Sequence, residues 1–214
     1  MALAGGVQAL IHPGIQMSFC KAGLLSPEGR CKSFDAEANG YVRSEGAGVI
    51  LLKRLATALR DGDQIHALIR GTAINSDGRS QGLAAPSQRS QMSCVKEAFA
   101  RAGIDPKETQ YVEAHGTGTR QGDPIELRDL GTVLGAGRNE AQPCRVGSVK
   151  TNLGHGETAA GITGLIKAAL CIRERKLPPS LNFSTPNPSI DFVGLGLKVQ
   201  TKLEAFPDPN AQLI

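Results

Sequence analysis

The sequence predicts an α/β fold in which strands alternate with helices. Short apolar runs, such as residues 110–113 and 145–149, have the length of strands and stop at glycine-containing loops. A longer stretch, residues 87–102, has apolar residues at helical spacing. The chain has 214 residues, of which 40% are hydrophobic, enough for one globular domain with its own core.

The first third of the chain predicts strands separated by a long loop. The opening run, residues 1–11, lacks a basic targeting segment and is too short to cross a membrane, so it is interpreted as a core strand. Residues 18–45 show little periodicity and predict a loop that acts as a lid or an interface. Residues 48–52 and 65–74 predict two further strands, the first of them buried on both faces.

An amphipathic surface helix is predicted over residues 87–102. Its apolar positions Met92, Val95 and Phe99 fall on one helical face. Gly103 follows directly and is typical of a helix C-terminus.

Two cycles of strand, loop and helix then follow, and the first begins with the strand at 110–113. The helix after it is expected to open at Asp123, with Asp123, Pro124 and Glu126 as the N-cap, N1 and N3 positions of a capping box. On this interpretation the two carboxylates cap a helix and do not form a catalytic pair.

The second cycle runs from the strand at 145–149 into a helix predicted over residues 157–176. Lys167 is the only charged residue between positions 158 and 172. A helix that is apolar on every side must be buried, so we expect a central helix.

Composition excludes several function classes. The net charge of +4 comes from 24 basic and 20 acidic residues without basic blocks, and aromatic residues make up only 4% with no tryptophan, so no nucleic-acid binding is expected. The five cysteines form no C-x-x-C pair, which predicts reduced thiols and a cytoplasmic protein. No membrane association is expected.

Two histidines stand in matching positions. His115 and His155 each follow a predicted strand and precede a glycine, so they are expected at the sheet edge where α/β proteins bind ligands. The alternative for either one is a hydrogen-bonded loop histidine. A metal site would need a third ligand such as Glu113, Asp123 or Glu157, but no ligand spacing supports one, and no metal is predicted.

A serine esterase is a lesser alternative. Residues 78–82 match G-x-S-x-G around Ser80, and Asp123 and His155 follow in hydrolase order. The motif requires a strand before the serine and a helix after it, whereas here a turn precedes the serine and Pro86 follows. A solvated loop is the other interpretation of this stretch.

Several long motifs resemble the β-ketoacyl synthase (ketosynthase) domains of modular type I polyketide synthases, in the thiolase superfamily. The matching stretches are E-A-H-G-T-G-T-x-x-G-D-P-I-E, S-V-K-T-N-L-G-H, A-A-G-I-T-G-L-I-K, F-D-A-E-A-N-G-Y-V-R-S-E-G-A-G and N-S-D-G-R. The resemblance implies a thiolase-like fold, with residues 1–214 as the C-terminal portion of a layered αβαβα architecture with a buried central helix.

The reaction that the resemblance implies is a decarboxylative Claisen condensation of acyl and malonyl thioesters carried by acyl carrier protein. In such enzymes two histidines hold the thioester oxygen while carbon dioxide leaves. Six residues are implied to form the site, three catalytic and then three that bind substrate: His115, His155 and Lys150, and Thr117, Thr119 and Glu157.

Lys150 matches the lysine that supports the histidine pair, and Glu157 lies close to it in sequence. A structural ion pair between these two residues is the alternative. No bound cofactor is expected, because the substrates are implied to arrive on the phosphopantetheine arm of the carrier protein.

The sequence also departs from the family pattern. It contains neither the Asp-Thr-Ala-Cys-Ser-Ser stretch that holds the nucleophilic cysteine nor the closing Phe-Gly-Phe-Gly-Gly-Thr-Asn-Ala-His strand. Residues 1–214 are therefore expected to be a partial ketosynthase domain without a nucleophile of its own. Its expected partners are acyl carrier protein and either the missing half or a second copy, and a non-catalytic carrier-protein-binding remnant remains the alternative.

Overall fold

A computed structural model describes residues 1–78, 87–138, 141–206 and 213–214. The strands of this part are β1 Ala2–Gln8, β2 Gly46–Leu52, β3 Tyr111–Glu113, β4 Cys144–Gly147, β5 Lys176–Leu177, β6 Leu197–Val199 and β7 Glu204–Ala205. The α-helices are α1 Pro13–Lys21, α2 Leu55–Asp61, α3 Gln88–Ala102, α4 Gly122–Leu134, α5 Lys150–Leu153 and α6 Ala160–Glu174. Among these helices, none is both long and apolar enough to cross a membrane.

A parallel sheet with the order β3-β4-β6 forms the centre of the molecule. Helix α4 connects β3 to β4, and Glu113 at the end of β3 lies beside Gly147 at the end of β4. Because the two strands are parallel, the loops that follow them leave the sheet at the same edge. The strands predicted over 110–113 and 145–149 are thus confirmed, and the sheet brings both histidine loops together.

The main core lies between this sheet and the helices α3 and α4. Leu127, Leu134 and Val146 are fully buried there. Helix α3 packs on this core through the predicted apolar positions Met92, Val95 and Phe99, which confirms its amphipathic face. Gly103 ends the helix in a left-handed conformation, as the sequence predicts, and Ser87, predicted as its first residue, is the N-cap.

Strands β1 and β2 form a separate antiparallel pair against α6. One face of the pair carries glycine because the helix comes very close: a Cβ atom on Gly48 would lie 3.0 Å from Ile162 and Ile166. The other face is apolar and open, with Leu3, Val7, Val49 and Leu51 all more than 60% exposed. The prediction that β2 is buried on both faces is therefore wrong within this chain.

Helix α6 is also less covered than its composition predicts. It begins at Ala160, after a 3-10 turn over Glu157–Ala159, and only Cys171 is fully buried along it. Leu165 and Leu170 are about two-fifths exposed, at 40% and 41%. The apolar surfaces of α6 and of the β1–β2 pair therefore remain available for contacts beyond this chain.

The structure differs from two other sequence predictions. Helix α1 ends inside the predicted 18–45 loop; Pro13 in its first turn and the imidazole of His12, which accepts from the backbone N–H of Gly14 at 3.0 Å, are the local signals for it. The predicted strand at 65–74 belongs to no ladder among the described residues. It runs along α3 instead, where the backbone oxygen of Thr72 accepts a hydrogen bond from Arg101.

Candidate active site

The two loops at the common edge of the sheet bring the imidazole rings of His115 and His155 into a T-shaped contact. Their ring centroids lie 5.3 Å apart with an interplanar angle of 82°. The ring of Tyr41 also packs against His155, with the ring centroids 5.0 Å apart. Residues 40 positions apart in sequence thus form one polar cluster at the carboxyl edge of the parallel sheet, as the sequence predicts.

Two carboxylates on α4 hold the His115 loop by its backbone. Glu126 accepts hydrogen bonds from the N–H groups of His115 and Gly116 at 2.6 and 2.8 Å. Asp123 accepts from Phe34 and Gly118 at 2.7 and 3.1 Å. These bonds satisfy loop N–H groups that the short strand cannot pair.

The capping-box interpretation of these carboxylates is wrong. Helix α4 begins at Gly122, with Gln121 before it and no side-chain cap from that residue, so Asp123 already lies inside the first turn. Burial raises the pKa of Asp123 to about 6 and that of Glu126 to about 7, against the backbone N–H groups that favour the charged forms. Both carboxylates are occupied by hydrogen bonds from backbone N–H groups of the His115 loop.

Gly116 lets the two loops touch. Its φ is +42°, and a Cβ atom there would lie 2.7 Å from the Cβ of Ser148 and 2.8 Å from the ring of Phe34. Ser148, directly after β4, donates its hydroxyl to the backbone oxygen of Gly116 at 2.9 Å. A side chain at this position would push the His115 loop away from the β4 loop.

The backbone and ring of His155 are both fixed by hydrogen bonds. Its N–H donates to the oxygen of Val42 at 2.6 Å, and its oxygen accepts from Ser44 at 3.0 Å. Its Nδ1 accepts from the backbone N–H of Glu157 at 2.9 Å. An Nδ1 that accepts a hydrogen bond carries no proton, so the neutral ring carries its proton on Nε2.

Both imidazoles are held in the neutral form. Burial and the ammonium group of Lys150 lower the pKa of His155 to about 4, although the carboxylate of Glu157 acts in the opposite direction. Burial, Lys150 and His155 lower the pKa of His115 to about 4 as well. A neutral ring with a proton on Nε2 can donate a hydrogen bond to an oxygen atom without adding a positive charge to the site.

Lys150 begins α5 between the two histidines in sequence and is only 4% exposed. Burial lowers the pKa of its ammonium group, whereas Glu126 and Glu113 oppose that shift. A buried positive charge at this position discourages protonation of both imidazoles.

The alternative of an ion pair between Lys150 and Glu157 is wrong, because Glu157 binds Arg43. The guanidinium Nε and Nη2 atoms of Arg43 contact the two carboxylate oxygens of Glu157 at 2.5 and 2.7 Å, and Gln8 donates to the same carboxylate at 2.7 Å. Sequence reasoning missed Arg43 as a site residue, although it lies in the matched stretch F-D-A-E-A-N-G-Y-V-R.

Glu113, at the end of β3, binds the start of the loop that follows β4. Its carboxylate accepts from the backbone N–H of Val149 at 2.5 Å and from the hydroxyl of Tyr111 at 2.7 Å, and Lys167 on α6 lies 2.7 Å away. The candidate third metal ligands therefore have other partners: Glu113 binds Lys167, Asp123 binds loop N–H groups, and Glu157 binds Arg43.

Thr117 and Thr119 line the next part of the His115 loop. Their hydroxyl oxygens lie 3.1 Å apart, and that of Thr119 accepts from the N–H of Gly122 at the start of α4. Thr117 is 7% exposed. The pair presents hydroxyl groups beside the histidines in a slim, glycine-containing loop.

The loop predicted as a lid or an interface packs against the site. Ser33 donates to the oxygen of Gly116 at 2.5 Å, and Gly40 donates to that of Gly118 at 2.9 Å. Phe34 in the same loop is fully buried. This segment therefore clamps the two histidine loops from outside.

Three of the five thiols lie in surroundings unlike those of an activated nucleophile. Cys31, Cys144 and Cys171 are buried, and burial raises the pKa of each thiol, to about 12 for Cys144. Cys20 on α1 is exposed, and Cys94 on α3 is half-buried. Ser80, the esterase alternative, lies outside the described residues.

Comparisons with known families cover most of the chain. The family described as "Beta-ketoacyl synthase, C-terminal domain" matches residues 66–184, and the one described as "Beta-ketoacyl synthase, N-terminal domain" matches residues 1–58. Both histidines and the residues that hold them fall within these two ranges.

Curated relatives are polyketide synthases. A phenolphthiocerol/phthiocerol polyketide synthase of Mycobacterium tuberculosis is 54% identical over 213 residues, which is 98% of this chain and 11% of the relative. Polyketide synthase PksL of Bacillus subtilis is 48% identical over 206 residues, which is 96% of this chain and 4% of the relative. The chain thus spans a small part of the length of these relatives.

Solved structures agree with this assignment. The ketosynthase from module 6 of the bacillaene synthase of Bacillus subtilis 168 superposes with a TM-score of 0.93 at 47% identity, covering 98% of this chain and 37% of that one. The oxazolomycin ketosynthase domain OzmH KS7 of Streptomyces albus gives a TM-score of 0.92 at 40% identity, covering 97% and 37%. The fold is thiolase-like α/β, and the chain belongs to the β-ketoacyl synthase family as a fragment of a ketosynthase domain.

Proposed function

We propose that this chain supplies the oxyanion-binding histidines of a polyketide-type β-ketoacyl synthase that condenses acyl and malonyl thioesters on acyl carrier protein. The supporting observation is the hydrogen bond from Glu157 to Nδ1 of His155, which leaves the Nε2–H of that ring free to donate beside His115. Two neutral imidazoles this close together suit a developing negative charge on oxygen, provided that each donates from a ring N–H.

In the proposed reaction the malonyl thioester binds with its carbonyl oxygen toward His115 and His155. The bond between the carboxylate and the α-carbon breaks, carbon dioxide leaves, and the electron pair passes to the thioester oxygen as an enolate. Hydrogen bonds from the two imidazoles stabilise this oxyanion more than the neutral carbonyl, which lowers the barrier. The enolate carbon then attacks an acyl thioester on a cysteine, and the thiolate leaves.

The other predicted residues have supporting roles in this proposal. Lys150 keeps the imidazoles neutral through its buried charge, and Thr117 and Thr119 contact the phosphopantetheine arm of the carrier protein. Glu157, which the resemblance implies as a substrate contact, has its carboxylate bound by Arg43 and Gln8. Acyl carrier protein is the proposed partner, and the open apolar face of β1 and β2 is proposed to pack against the rest of a ketosynthase domain or a second copy.

A non-catalytic carrier-protein-binding role is the second candidate. The raised pKa values of the buried thiols of Cys31, Cys144 and Cys171 favour it, because a nucleophilic cysteine needs a lowered pKa. Decarboxylation by the intact protein that contains this sequence would exclude a purely binding role.

The pantetheine contact can be tested with Thr117→Val. We expect the KM for malonyl-pantetheine to rise about fivefold with kcat unchanged, because one hydrogen bond made equally in the ground and transition states is lost. The measurement is steady-state release of carbon dioxide by the intact protein. Thr132→Val is the matched control, since Thr132 is exposed and its hydroxyl donates to the backbone oxygen of Arg128 within α4. An unchanged KM in Thr117→Val would contradict the contact.

The neutral state of the histidines predicts an unusual pH profile. A histidine at its ordinary pKa of about 6.5 would take up a proton on Nδ1 near that pH, and it would then lose the hydrogen bond from the N–H of Glu157 that orients its ring. The pKa of His155 is lowered to about 4, so kcat for decarboxylation should stay level from pH 7.5 to about 5.5 and fall only as the pH approaches 4. Circular dichroism at each pH checks that the protein stays folded. A midpoint near pH 6.5 would show that the ring is not held neutral.

A further inference from the structure

The backbone of Glu157 has a conformation that its residue type does not favour. Its φ is +41°, although it is not a glycine, and it follows Gly156 at the start of the 3-10 turn before α6. Left-handed backbone at a residue with a Cβ atom persists only where its surroundings hold it. The conformation therefore needs a stabilising contact.

The carboxylate of Glu157 provides this contact. Arg43 binds both of its oxygens in a bidentate arrangement, at 2.5 and 2.7 Å, and Gln8 adds a third bond at 2.7 Å. The side chain of Arg43 is only 3% exposed and that of Glu157 only 20% exposed, so the pair is shielded from water. Bidentate pairing fixes the orientation of the carboxylate as well as its position.

The same conformation aims the N–H of Glu157 at Nδ1 of His155, 2.9 Å away. If Glu157 relaxed to an ordinary negative φ, its peptide plane would turn relative to α6 and this donor would lose its aim. Nδ1 could then take up the proton, and Nε2 would become an acceptor. A tautomer of that kind cannot donate to an oxyanion from Nε2.

Arg43 also lies where it can couple the ring and the backbone of His155. Its neighbours Val42 and Ser44 form the two backbone hydrogen bonds with His155, at 2.6 and 3.0 Å. Its guanidinium carbon lies 5.4 Å from the ring centroid of Phe19, which helps to keep the side chain in place. One segment therefore fixes the backbone of the histidine directly and its ring through Glu157.

We propose that Arg43 and Glu157 are positioning residues that fix the tautomer of His155 with its proton on Nε2. This inference rests on the proposed function for its catalytic consequence. It assigns Glu157 an indirect role, in place of the direct contact with substrate that the family resemblance implies. A negative charge at position 157 is not sufficient for this role. The orientation of the carboxylate determines whether the backbone N–H of Glu157 points at Nδ1 of His155.

The tautomer can be read directly by nitrogen-15 NMR of the intact protein labelled at histidine, since protonated and unprotonated ring nitrogens resonate far apart. The His155 signals are those missing from His155→Gln. In the unchanged protein we expect one tautomer, protonated at Nε2. In Arg43→Met we expect signals of both tautomers, together with about a tenfold lower kcat for decarboxylation and an unchanged KM, a smaller effect than outright loss of a donor.

Further variants keep the test decisive. Glu157→Gln removes the bidentate pairing while keeping the side-chain shape, and it provides the measurement if Arg43→Met fails to fold. The double variant should be no worse than either single one, because the two residues act as a unit. Arg101→Met is the matched control: it removes an arginine from a surface pair with Glu97 and should leave the His155 signals unchanged.

The positioning role of Arg43 and Glu157 and the proposed function of His155 can be contradicted independently. Unchanged His155 signals in folded Arg43→Met and Glu157→Gln would overturn the positioning role, whatever the activity. A shifted tautomer without any change in decarboxylation would support the positioning role and contradict the proposed function of His155.

Discussion

His155→Ala should lower kcat for decarboxylation of malonyl thioester by about 100- to 1000-fold in the intact protein, with little change in KM. The substitution removes one of two donors that stabilise charge only as the enolate forms, so its cost falls on the transition state. His115→Ala should give a loss of similar size. The double variant should lose less than the product of the two, because the rings share one oxyanion and lie 5.3 Å apart.

His66 provides the matched control for these variants. It is exposed and remote in sequence from both histidine loops, so His66→Ala should leave kcat unchanged. His155→Gln should recover part of the lost rate, since its amide N–H can donate but is not oriented by Glu157. Full decarboxylation by both His115→Ala and His155→Ala would rule out the oxyanion assignment.

The central sheet and the meeting of the two histidines could be predicted because both depend on local pattern. The apolar runs before His115 and His155 have strand length, and a parallel arrangement places the ends of such strands at one edge. The helix over 87–102 was equally predictable, since its cap and its apolar face are encoded within 17 residues from Ser87 to Gly103.

The supports of the site could not be predicted in the same way. Asp123 and Glu126 have the spacing of a capping box, and only the three-dimensional position of the His115 loop shows that they bind its backbone. Glu157 lies seven residues from Lys150, but its partner Arg43 is 114 residues away. Sequence proximity favoured the wrong ion pair because pairings between distant segments leave no local pattern.

Surface exposure was the other source of error. The composition of β2 and of α6 is that of elements covered on all sides, and it therefore predicts burial. In this chain Val49 and Leu51 are 65% and 61% exposed. Composition indicates that an element needs apolar neighbours, and it does not indicate whether those neighbours belong to the same polypeptide.

The second large effect concerns carbon–carbon bond formation by the 214-residue chain alone. Incubated with acyl and malonyl thioesters of carrier protein, it should form no β-ketoacyl product. Condensation needs a thiolate that holds the first acyl group, and burial raises the pKa of Cys31, Cys144 and Cys171, which keeps them protonated and shielded. Loss of carbon dioxide needs only the oxyanion donors, so it should continue at a low rate.

The two products must therefore be followed separately, carbon dioxide by isotope release and β-ketoacyl thioester by mass spectrometry of the carrier protein. The ketosynthase from module 6 of the bacillaene synthase, to which this chain is similar, serves as the comparison protein for both measurements. His155→Ala in the 214-residue chain should abolish the residual release of carbon dioxide, which would assign that release to the histidine site. Formation of β-ketoacyl product, or acylation of a cysteine at a catalytic rate, would contradict the expectation and point to a substitute nucleophile. Cys20 would then be the first thiol to replace by alanine, because it is the exposed one and lies on α1, next to the loop that clamps the site.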